Sequence, residues 1–93
     1  MNIDKSTKRI EKRVKKGFQG YPQITLSYFG ETIDCATSVV VGFIEQEGAP
    51  TQEQKLVSIA DAKKDETIQT TILKIIERAD AKTVIEIEGI SII

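Results

Sequence analysis

Apolar residues recur along this chain with two different periods, and the switches between them mark out its elements. Across residues 6–17 the apolar positions are sparse: Ile3, Ile10, Val14 and Phe18 fall seven, four and four residues apart, a narrow stripe on a helix otherwise made of charge. Ser6 or Asp4 is the expected cap and Gly17 the expected stop. Gly20, Tyr21 and Pro22 turn the chain. Ile24, Leu26 and Tyr28 then alternate with Thr25, Ser27 and Phe29, the two-residue period of a strand. Residues 30–34 supply a turn. Residues 37–45 are β-branched and apolar on both faces, which predicts a central strand in which Gly42 leaves room opposite. Leu56, Val57 and Ile59 predict a short third strand over 55–60, with a helix as the alternative.

From Asp65 the spacing changes. Ile68, Ile72, Ile75, Ile76 and Ala79 repeat as one helical face, with Asp65 at the N-cap and Thr70 expected on the opposite side. Residues 84–93 predict a last strand in which Ile85 and Ile87 share one phase and Ile90 and Ile92 the other, with Gly89 at the slip as a β-bulge would place it. The order α-β-β-β-α-β predicts an α+β fold with a mixed four-stranded sheet. Hairpins make the first three strands antiparallel, and a right-handed crossover brings the last beside the first, so the strand order is 3-2-1-4. The second helix packs its isoleucine stripe on one face of that sheet. The other face is left for the first helix or for a second copy of the chain.

Length and composition narrow the class. Ninety-three residues, 40% apolar and 29% charged, fit a single domain over 1–93. No apolar run approaches the roughly 20 residues that cross a bilayer. The chain stays charged through Lys16, without the apolar segment that engages secretion, so cytoplasmic residence is expected. The single Cys35 has no partner for an internal disulfide. The absence of histidine removes imidazole metal ligands and the usual base for a serine or cysteine nucleophile, so neither a cofactor nor a metal is expected.

Charge adds the strongest asymmetry. Residues 1–20 carry seven bases against two acids, a net of +5, and residues 21–93 carry six bases against twelve acids, a net of −6. The bases of the helix over 5–17 (Lys5, Lys8, Arg9, Lys12, Arg13, Lys15 and Lys16) have the footprint of a contact with nucleic-acid phosphates. They equally suit a solvated helix facing an acidic body that includes Glu45, Glu47, Glu86 and Glu88. Element order resembles the double-stranded-RNA-binding fold, but the second helix begins Asp65-Glu66 where that fold needs lysines, and a further strand follows.

Other residues with chemistry have plainer readings. Glu86 and Glu88 stand on one strand face about 7 Å apart, a spacing open to acid/base work, although alternating charge on a solvent-facing strand is commoner. Cys35 has no base to lower its pKa and reads as an inert thiol. Phe18, Tyr21, Tyr28 and Phe29 suggest either a stacking platform or core packing.

The segments Arg9-Ile10-Glu11-Lys12-Arg13, Gly20-Tyr21-Pro22, Tyr28-Phe29-Gly30, Ala36-Thr37, Val39-Val40-Val41-Gly42 and Glu47-Gly48-Ala49 resemble those of a small bacterial family of uncharacterised proteins. The resemblance weakens over 51–64 and returns faintly in the second helix and at Gly89-Ile90. Other members of that family continue into a Cys/His-rich tail suited to metal. These 93 residues end at Ile93 without it, so the resemblance implies no metal site here. The functional expectation is a non-enzymatic interaction domain that forms a homodimer. The alternatives are a nucleic-acid-binding module using the basic helix, and an enzyme with carboxylates at a subunit interface.

Overall fold

A computed structural model describes residues 3–58 and 60–92; the side chains of Ile3 and Asp4, and all of Ile59 and Ile93, lie outside the described residues. The elements are α1 (Ile3–Lys15), β1 (Gln23–Gly30), β2 (Ser38–Ile44), β3 (Gln52–Val57), α2 (Glu66–Arg78), β4 (Thr83–Glu86) and β5 (Ser91–Ile92). The strands form one mixed sheet in the order β3-β2-β1-β4, and β5 also pairs with β1. β1 runs antiparallel to β2 and parallel to β4 and β5, and β2 runs antiparallel to β3. This is the expected α+β topology.

Three boundaries differ from the sequence reading. The third strand is a strand, but it spans Gln52–Val57, earlier than expected, because pairing with the register of β2 outweighs the apolar content of residues 55–60. The last strand is two pieces: after Ile87, whose N–H still bonds to Leu26 O, residues 88–90 leave the ladder around Gly89 (φ +76°), a longer break than a one-residue bulge. The change of phase is as expected, since Ile85 lies beside Thr25 and Ile92 beside Gly30, on opposite faces. At the N-terminus Ser6 is an interior residue of α1 and fully buried, so it is not a cap.

Both helices lie on the same side of the sheet. α2 begins where Asp65 accepts from the Ile68 N–H at 3.2 Å and Ser58 donates its hydroxyl to the same carboxylate at 2.8 Å. These two hydrogen bonds hold the Asp65 carboxyl below its ordinary pKa, the Ser58 hydroxyl contributing most. The helix ends with Asp80 at φ +51°: Ala81 N–H donates to Ile76 O and Asp80 N–H to Glu77 O, which satisfies carbonyls that would otherwise be orphaned.

Ile68, Ile72, Leu73 and Ile76 are buried against Ile24, Leu26, Tyr28, Val39, Val41 and Val84, with Ile75 and Ala79 packed at the border. Each fully buried aliphatic side chain contributes on the order of 2 kcal/mol. α1 does not cross to the second face. Ser6 and Thr70 bring their hydroxyl oxygens within 3.2 Å, Ile10 is buried, and Arg13 donates to the Ala81 carbonyl at 3.2 Å. Thr70 therefore faces α1, not solvent. Phe18 is 61% exposed and leaves the apolar stripe, its ring edge against Tyr21 at 5.4 Å. Thr83, fully buried, accepts from Gln19 N–H and donates to Gly20 O, each at 2.7 Å, which ties the α1–β1 connection to β4.

Candidate functional site

Among the described residues, one face of the sheet carries no helix. Because side chains alternate along a strand, the partners of Gln23, Thr25, Ser27 and Phe29 share their face: Ile44, Gly42, Val40 and Ser38 on β2, then Glu53, Lys55 and Val57 on β3, and Ile85 on β4. Phe29, Val40, Ile44 and Ile85 are only partly buried, Val57 is 69% exposed and Ile87 47% exposed. A shallow depression of about 210 Å³ opens among Phe29, Ser38, Val40 and Lys55. Ser38 Oγ at its floor is buried with no hydrogen-bond partner among the described residues. The same sheet has a bare edge, since β3 is the outer strand and five of its six residues are exposed.

The basic residues of α1 are not all together. Lys5, Lys8, Arg9, Lys12 and Lys16 stand at helical spacing on the exposed outer face. Arg13 is turned inward onto Ala81 O. Lys15 lines a cleft of about 350 Å³ between α1, β1 and α2. None of Lys8, Arg9, Lys12, Lys15 and Lys16 forms an ion pair with a carboxylate among the described residues.

That cleft brings together several side chains with acid/base character. Glu11, Lys15, Lys63 and Glu86 surround a floor made by Tyr28 and Gln69, each 2% exposed. Gln69 donates from its amide nitrogen to Tyr28 Oη at 3.0 Å and to Ala62 O at 2.9 Å, so the tyrosine accepts there and keeps its own proton. Lys63 Nζ sits 5.1 Å from the centre of the Tyr28 ring. Burial raises the Tyr28 pKa above its ordinary value, the Gln69 hydrogen bond opposes that in part, and the charges of Glu86 and Asp61 add to it. The phenol keeps its proton at physiological pH, and its oxygen accepts from Gln69. Sequence reasoning passed over Gln69, Lys63 and Tyr28 as a group. The available signal was Gln69 itself, a polar residue three and seven positions before Ile72 and Ile76 on the apolar face.

The remaining candidates separate. Glu86 lines the cleft, whereas Glu88 lies beyond the end of β4 and is exposed, so they do not form an acid/base pair on one strand. Glu45 and Glu47 are exposed past the end of β2. Tyr28 and Phe29 point to opposite faces of β1 and only Phe18 and Tyr21 touch, so the four aromatic side chains make no common platform. Cys35 is half-buried, its thiol 3.6 Å from the Ala60 carbonyl. No described helix is long and apolar enough to cross a membrane. No protein-family model, curated protein or solved structure matches this chain.

Proposed function

We propose that this chain is a protein-interaction domain that forms a homodimer through its sheet, without catalytic activity of its own. The observation that carries the reading is the helix-free face with its bare edge: Val40, Ile44, Phe29, Ile85, Val57 and Ile87 give it an apolar character that solvent alone does not match. The buried, unpartnered Ser38 hydroxyl lies under the same surface. The reading includes cytoplasmic residence, supported by a lone cysteine that makes no disulfide within the chain. Sedimentation at tens of micromolar should give twice the monomer mass, and a monomer at that concentration overturns the proposal.

A second reading is favoured by one specific observation, the outward stripe of Lys8, Arg9, Lys12 and Lys16 without ion-pair partners among the described residues. Such a stripe suits the phosphates of a nucleic acid. Neutralising about four phosphates would weaken binding by roughly two orders of magnitude between 50 and 200 mM salt. Titrating labelled RNA and DNA at those two concentrations, with wild type and a variant carrying Lys8, Arg9, Lys12 and Lys16 as glutamine, tests it. Binding that is absent, or insensitive to both salt and substitution, removes this reading.

A further inference from the structure

The hydrogen bonds inside the sheet determine which backbone groups of its bare edge are unspent. Ile87 N–H donates to Leu26 O at 2.9 Å, so the even-numbered residues of β1 address β4 and the odd-numbered ones address β2. Gln23, Thr25, Ser27 and Phe29 thus use the backbone groups of Ile44, Gly42, Val40 and Ser38, which leaves Val39, Val41 and Phe43 turned towards β3. Across from these lie Leu56, Gln54 and Gln52. Ser58 N–H, donating to Thr37 O at 2.8 Å, agrees with that phase. The N–H and C=O groups that point away from the sheet therefore belong to Glu53, Lys55 and Val57.

We propose that this edge pairs with the same edge of a second copy, antiparallel, about a two-fold axis at Gln54. The proposal rests on the self-association argued above and names its interface. Outward-pointing residues exchange hydrogen bonds only with outward-pointing residues, so the axis falls on a residue and not between two. An axis at Glu53 sets that carboxylate against its own copy, and an axis at Lys55 does the same with two ammonium groups. An axis at Gln54 sets Glu53 opposite Lys55 and Lys55 opposite Glu53, twice over, with Gln52 opposite Leu56. Like charges directly opposed weaken a strand pair and opposite charges strengthen it, so the charge order of β3 selects this register. Glu53 and Lys55 stand on the helix-free face, beside Gly42 and Val40. Their pairs close that face over the junction, and the two sheets become one.

Native mass spectrometry and sedimentation of four samples test the register. Wild type is expected to be dimeric. Glu53→Lys alone gives two lysine–lysine pairs and Lys55→Glu alone gives two glutamate–glutamate pairs, so each should raise the dimer dissociation constant at least tenfold. An equimolar mixture of the two variants should form a heterodimer, because each then supplies what the other lacks. Both positions are exposed, so circular dichroism should report unchanged folds. In a Cys35→Ser background, Gln54→Cys should form an interchain disulfide on mild oxidation, since facing Cα atoms at a non-hydrogen-bonded pair lie about 4.5 Å apart. If wild type dimerises and both single variants do so equally well, self-association stands and this interface falls. A monomeric wild type overturns both.

Discussion

The two faces of the sheet are built from the same strands and have opposite fates. On β1 the even positions Ile24, Leu26 and Tyr28 lie under the helices and are essentially inaccessible, while Thr25, Ser27 and Phe29, one residue along, keep partial access to solvent. β2 repeats the contrast, with Val39 and Val41 inside and Val40 and Ile44 half-covered on the other side. The covered face has a matching surface because α2 brings an isoleucine stripe and α1 leans on α2. The helix-free face has fewer aliphatic side chains, with Val40, Ile44 and Ile85 set among Gln23, Thr25, Ser27 and Ser38, and no such surface. Burial here follows both the alternation of the strands, which puts their more apolar side under the helices, and the packing of both helices on that one side.

The sharpest way to break the comparison is to place one charge on each side. Ile72→Asp, under α2 and fully buried, should cost several kcal/mol and unfold the domain, whereas Val57→Asp, 69% exposed on the other face, should change stability by less than about 1 kcal/mol. Thermal melts of the two variants check this, and equal losses would mean that the faces are not different. Gly30→Ala should also be severe. A Cβ at Gly30 would overlap the carbonyl oxygen of Cys35, which is backbone and cannot turn aside, so a loss of about 2–3 kcal/mol is expected by chemical denaturation.

Smaller effects sharpen the comparison by pH and by polar satisfaction. Tyr28, on the covered face, has a folded-state pKa raised above about 10. Its contribution is fully present below that ordinary value and is lost as pH rises through the raised one, so alkaline unfolding should shift to higher pH in Tyr28→Phe. Asp65 works in the opposite direction. Its folded-state pKa is lowered, so its contribution is present above about pH 4 and is lost as pH falls through the lowered value. Asp65→Ala should cost about 1 kcal/mol at neutral pH as a lost cap, and this difference from wild type should vanish in acid. The smallest effect belongs to the helix-free face: Ser38→Ala removes a buried hydroxyl without a partner and should leave stability unchanged or raise it by up to about 1 kcal/mol in the monomer.

Sequence alone determined the local periods and, through them, the topology. The two-residue alternation of β1, the apolar run of β2 and the isoleucine spacing of α2 each depend on neighbours within one element, and hairpin and crossover rules then leave one strand order. The Asp65 cap was legible for the same reason, being a contact three residues long. What only the tertiary structure decided involves partners far apart in the chain. Ser6 looks like a cap until Thr70, sixty-four residues on, is placed against it. Thr70 looks exposed until α1 arrives. Gln69 and Tyr28, forty-one residues apart, become a pair only when α2 lies over β1. The side of the sheet that α1 takes was open in the sequence, because its apolar stripe is too narrow to select a surface. Small hydroxyl residues, Ser6 against Thr70, let α1 settle beside α2. That packing leaves one face of the sheet bare.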